Sequence, residues 1–164
     1  MSIMTIFTGC SMDRQGGESR KTLNEAVKKS VDNAQKQAVD NKTANTTIIT
    51  MTFGSSVVEA ELDDSETSRE FIARLPITLS MKRSDDREYY ARIPKLSENG
   101  NAIPDYKNGD VTYYTGGPSL AVFFAKEGQS SQANLIRIGK ITSDLSIFQQ
   151  LENGVEVKIA VKNN

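Results

Sequence analysis

The segment Gly109 to Phe124, GDVTYYTGGPSLAVFF, limits what this chain can fold into more than any other. Gly109-Asp110 opens it as a turn, Val111 to Tyr114 reads as an aromatic strand, and Gly116-Gly117-Pro118 reverses the chain. Leu120 to Phe124 then returns with no polar residue. A strand that apolar is predicted to be buried on both faces, so this hairpin belongs at the centre of the fold. It carries no reaction chemistry. Gly116-Gly117-Pro118 is followed by no Lys and no helix signal, which rules out a phosphate loop.

The rest of the composition narrows function by exclusion. No histidine occurs in the 164 residues, which removes Ser-His and Cys-His nucleophilic sites, an imidazole base and nearly all zinc sites. Trp is also absent, and Cys10 is the only cysteine, so no intrachain disulfide or CxxC motif can form. The net charge is −1, with acids and bases interspersed. That balance predicts no nucleic-acid partner and no general electrostatic attraction to membranes. No cofactor is expected. With 37% hydrophobic residues, the chain can build one sizeable core.

Residues 1–45 read as a tail. Ile3 to Gly9 is an apolar run ending in small residues, and Ser11 begins a polar stretch after Cys10. This resembles the cleavage box of a bacterial lipoprotein signal, with Cys10 as the lipidated residue. It departs from such signals in carrying no Lys or Arg before the Cys. The chain is then a lipid-tethered protein of the bacterial cell envelope; otherwise it is cytoplasmic, with one free thiol. From Ser11 to Asn45 the composition is polar, with Leu23, Val27 and Val31 at helical spacing as the one narrow apolar stripe.

The domain spans residues 46–164. Ile49, Met51 and Phe53 alternate with polar residues, and Gly54-Ser55-Ser56 turns this strand into Val57 to Leu62. Asp64 or Ser65 caps a helix in which Phe71 and Leu75 share a face, and Pro76 stops it. Ile77 to Met81 and Tyr89 to Ile93 are strands joined by the charged turn Ser84 to Glu88. Lys95 to Asn108 reads as a long loop, a length often put to functional use, with Tyr106 as its aromatic. Leu135 to Ile141 is a strand, Ser143 caps a short helix carrying Leu145, Phe148 and Leu151, and Val155 to Val161 is a terminal strand. About eight strands not in alternation with helices argue against a doubly wound sheet. They favour a mainly β fold, a closed antiparallel barrel plugged by two short helices.

Gly109-Asp110 before Tyr113-Tyr114, Gly117-Pro118, Val122-Phe123-Phe124, and Arg137 to Ile141 before a capped helix together resemble the small bacterial cyclophilin-like proteins. The helix ending in Leu75-Pro76 before Ile77 to Met81 is similar to that family too. The resemblance implies an eight-stranded cyclophilin-like β-barrel with a helix at each end, in a family largely without an established activity. Against proline isomerases, Arg92 near Pro94 is the counterpart of the arginine that hydrogen-bonds the substrate carbonyl, though one residue closer to its Pro. Phe123-Phe124-Ala125 resembles the paired-Phe strand of their cleft. The chain departs from them in lacking His, Trp and a Gln near Arg92.

Two readings of the site follow. In the first, Arg92, Tyr106, Tyr114 and Phe124 line an aromatic cleft that binds a peptide or small molecule, the guanidinium orienting a carbonyl or carboxylate. In the second, Arg92 is catalytic in a weak peptidyl-prolyl cis-trans isomerase. The plainer account has the strand tyrosines alternating between core and surface, with the Arg92 stem covering apolar area. Glu59, Glu61, Asp63, Asp64 and Glu66 lack the Gly and closing Glu of a calcium loop, so no metal site is expected.

Overall fold

A computed structural model describes residues 45–163. The expectations for Cys10 and for a helix near Leu23 to Val31 lie outside the described residues. Among the described residues, nine strands and two helices follow in chain order: β1 Thr47–Phe53, β2 Ser56–Leu62, α1 Glu66–Ile72, β3 Ile77–Ser84, β4 Glu88–Arg92, β5 Asn101–Ile103, β6 Asp110–Tyr114, β7 Ser119–Phe123, β8 Leu135–Ile141, α2 Ser146–Gln150 and β9 Val155–Val161.

All strand pairs are antiparallel, in the order β2-β1-β9-β3-β4-β7-β6-β8, and β8 returns to β2 to close an eight-stranded barrel. Closure leaves neither β2 nor β8 with a full open edge. The seam is short, with only Ala60, Glu61 and Leu62 facing Ile141, Lys140 and Gly139. Beyond it, the same side of β8 pairs with β5, which faces Leu135 to Arg137. The stretch read as one long loop therefore contains a strand. Gly139 is required at the seam, because a Cβ there would overlap the Glu61 carbonyl oxygen and the Leu62 side chain. A register shift sits nearby. Val111 faces Gly139 while Thr112 faces Arg137, so β8 carries Ile138 as an extra residue.

The interior follows the period of two. Ile49, Met51 and Phe53 on β1 and Val58, Ala60 and Leu62 on β2 all point into the barrel. Gly54, at φ 59°, supplies the left-handed residue of the turn between them. The β3–β4 turn uses Asp85 and Asp86, both at φ 50°, a region that short polar side chains tolerate.

Each helix plugs one barrel end. The Ser65 hydroxyl accepts from the Ser68 amide and caps α1, which sends Phe71 into the core. The helix stops at Ile72, so Leu75 lies past it, yet still packs partly on the core before a cis Leu75–Pro76 bond. On α2 the buried Phe148 stacks on Phe124 at 5.8 Å and meets Phe53 edge-on at 5.5 Å. Burying one such side chain contributes about 2–3 kcal/mol. The expected Ser143 cap is not formed, because the Ser143 hydroxyl accepts from the Glu59 amide instead. Asp144 takes over at that end. Its carboxylate accepts from the Ser146 amide and hydroxyl, which lowers its pKa below the ordinary aspartate value.

Candidate functional site

The all-buried β7 explains the site. Leu120, Val122 and, one residue on, Phe124 face the barrel, whereas Ser119, Ala121 and Phe123 face outward. An outward face on a barrel strand is ordinarily wet. Here the segments 103–106 and 130–135 lie over it and build a second, smaller core of Tyr106, Ala121, Phe123 and Leu135. Tyr106 holds that cover in place. Its ring stacks on Phe123 at 4.1 Å and 14°, while its hydroxyl bonds the Lys126 carbonyl and the Ser130 hydroxyl, each at 2.6 Å.

The cover is incomplete, and what it leaves open is a groove of about 360 Å³. Its floor is the outer row of β7. Ser84, Glu88, Tyr90 and Arg92 form one wall, from β3 and β4. Tyr114, the Gly116-Gly117 turn and Leu135 form the other. Register fixes the plan. Arg92 and Tyr114 both pair with Ser119, one from each side, and Tyr90 pairs with Ala121 in the next outward row. Glu88 pairs with Phe123 at the far end, four residues along β7 from Ser119. The two ends are thus separated by roughly 13 Å. The Gly116 turn lies close on the Tyr114 ring, so a Cβ there would meet the Tyr114 hydroxyl and push that ring aside.

Charge is distributed unevenly along the groove. At the Phe123 end, Arg87 and Glu88 are both 8% exposed and form a bidentate pair at 3.0 and 3.1 Å. Arg87 also donates to the Ser131 carbonyl and the Gln132 side-chain oxygen, and its guanidinium lies 5.5 Å from the centres of both the Tyr106 and Phe123 rings. Arg92, at the other end, is exposed and its guanidinium has no hydrogen bond or ion pair among the described residues. The Tyr90 and Tyr114 hydroxyls are likewise without a hydrogen-bond partner among the described residues.

The four residues expected to share a cleft divide. Arg92 and Tyr114 line one groove. Tyr106 lies behind it, as the support under Phe123. Phe124 is on the opposite face of β7, inside the barrel against Tyr89 and Phe148, and Phe123 occupies the groove in its stead. A charged turn over Ser84 to Glu88 does not foretell the buried Arg87–Glu88 pair. The signal was present in the flanking Tyr89-Tyr90, since charges that abut a buried strand are drawn into it. Three of the acidic residues near α1 and β2 have protein partners: Glu59 pairs with Lys162 at 2.7 Å, Asp63 accepts from Ser65, and Glu66 accepts from Asn99.

The model of the family described as the cyclophilin-like family matches residues 51–160. The fold is similar to the solution structure of a hypothetical protein from Archaeoglobus fulgidus, with a TM-score of 0.55 and 24% identity over 74% of this chain and 99% of that one. No curated protein matches the chain.

Proposed function

The chain belongs to the cyclophilin-like family, and from that premise we propose that the groove over β7 binds a short peptide or small ligand. Arg92 orients a carbonyl or carboxylate, and Ala121, Phe123 and Leu135 take the apolar body. The observation that carries this reading is the Arg92 guanidinium, without a partner among the described residues, at the mouth of a recess floored by Ser119, Ala121 and Phe123. A small number of convergent polar groups without partners is part of the usual make-up of a ligand site, and about 360 Å³ is within the usual range.

The test is a set of ¹⁵N–¹H spectra recorded against N-acetyl di- and tripeptides of Ala, Leu, Pro and Phe, as free acids and as amides. Binding in the groove moves the amides of Arg92, Tyr114, Ala121 and Phe123 and spares β1 and β9. A set that leaves those four unmoved at millimolar concentration sinks the reading.

A weak proline isomerase is the second reading, favoured by Arg92 and Phe123 lying along one groove. Uncatalysed exchange takes on the order of tens of seconds, so weak catalysis is visible with the Pro-containing members of the same set. Acceleration that Arg92→Ala removes supports it; unchanged exchange at high protein concentration refutes it.

Cys10 is proposed as the lipid anchor of an envelope protein, on the pattern Ile3 to Ser11 alone. Expression in a bacterium fed labelled palmitate tests this. Label that persists in Cys10→Ser, or never appears in the parent chain, removes the tether.

A further inference from the structure

We infer that the groove selects a monocarboxylate with an apolar or aromatic body, the free carboxyl end of a peptide or a simple aryl or alkyl acid, over its neutral counterpart. This rests on the groove being a binding site at all, as proposed above. The groove is lined by three charged side chains, Arg87, Glu88 and Arg92. Two of them cancel. Both Glu88 oxygens accept from Arg87, whose remaining donors reach Ser131 and Gln132. One positive charge is left, on Arg92, so among the described residues the lining carries a net charge of +1 and its one uncompensated charge is a planar guanidinium.

The neighbours of Arg92 point the same way. Tyr114 lies in the same outward row and Tyr90 in the next, and both hydroxyls are free to donate. A guanidinium with two phenolic donors offers more hydrogen bonds than one carbonyl oxygen can accept, but suits the two oxygens of a carboxylate. Toward the opposite end the polar groups are spent on each other, and the lining beside them is Ala121 and Phe123, apolar side chains that are 4% and 1% exposed. Charge at one end and apolar floor beyond it define an amphiphile that enters carboxylate to Arg92 and body to Phe123. The Arg87–Glu88 pair at the far end is neutral and leaves no free cation there to hold a second carboxylate, which restricts the class to monoanions.

N-acetylphenylalanine and its amide share one body and differ in charge, which makes them the discriminating pair, with 3-phenylpropionate separating a simple acid from a peptide end. Titrations of the full chain at neutral pH, followed through the Ser119 and Ala121 amides, are expected to give a Kd at least about tenfold lower for the acid than for the amide. Arg92→Gln is expected to abolish that preference while leaving the spectrum outside the groove unchanged, which shows that the variant is folded. If 3-phenylpropionate matches the acetylated acid, the carboxylate and body suffice; if it binds at least tenfold more weakly, the site reads the peptide end. Equal affinity for acid and amide overturns the carboxylate inference and leaves the groove as a binding site. Silence of the groove toward every compound overturns both.

Discussion

Arg87 and Glu88 are neighbours in sequence whose side chains pair with each other at the edge of the groove, and both are close to fully buried. Burying two charges costs several kcal/mol in desolvation, which their mutual hydrogen bonds about offset. The pair therefore adds little net stability while intact and is dangerous to split. Glu88→Leu leaves a buried guanidinium against Phe123 and Tyr106 and is expected to lower the unfolding free energy by about 3 kcal/mol. Adding Arg87→Met to that variant should recover at least half of the loss, because the stranded charge goes with it. Urea unfolding of the two singles and the double closes the cycle, and strictly additive losses would show that the two residues act separately. The phase of Phe123 and Phe124 belongs to the same scale. A strand apolar on both faces gives no hint of which Phe points inward, because the period of two that reads other strands has nothing polar to register on. Pairing of Tyr89 with Val122 decides it, and that is a tertiary fact.

At the scale of elements, the sequence is legible wherever one face of a strand is wet. β1, β2, β3 and β9 alternate cleanly, and α1 is announced by Ser65 and a following Glu66. β7 is legible for the opposite reason, its uninterrupted apolar run requiring cover on both sides. What stays hidden are elements whose cause lies elsewhere in the chain. β5 is three residues, Asn101 to Ile103, with no strand pattern of its own, and exists because β8 offers it an edge that β2 is too short to cover. The Ser143 hydroxyl is diverted from capping by the Glu59 amide on β2, which no local rule for helix starts foresees. The groove has the same character. The sequence marks Arg92 and Tyr114 as candidates for one cleft, but their meeting across Ser119 follows from the order β4-β7-β6.

Ring closure of the barrel depends on the β2–β8 seam, whose three paired residues are flanked by backbone hydrogen bonds from Asp63 to Ile138 and from Thr142 to Glu59. The β3–β4 pair is as short, but β2–β8 joins the two ends of the strand order and so turns the ladder into a ring. Gly139 sits in the seam where a Cβ would meet the Glu61 carbonyl oxygen and Leu62. The Leu62 side chain could adjust to an added methyl, but the Glu61 carbonyl is backbone, so β2 itself must give way. Gly139→Ala is therefore expected to cost about 2–3 kcal/mol, as overpacking does in a fixed interior. The loss should not be uniform. Hydrogen exchange should quicken first at residues 60–62 and 139–141, since an opened seam frees those strands while the β4-β7-β6 ladder stays paired. Gly128→Ala is the matched comparison. Gly128 is at φ 71° with open space around it, so alanine there costs about 1 kcal/mol of backbone strain and leaves the seam protected. Equal exchange patterns in the two variants would mean that the barrel unfolds as one unit and that the seam is no weaker than the rest. A seam that opens alone would instead separate two properties of the molecule: ring closure at β2–β8, and the groove, which is built on the side of the barrel where the strands remain paired.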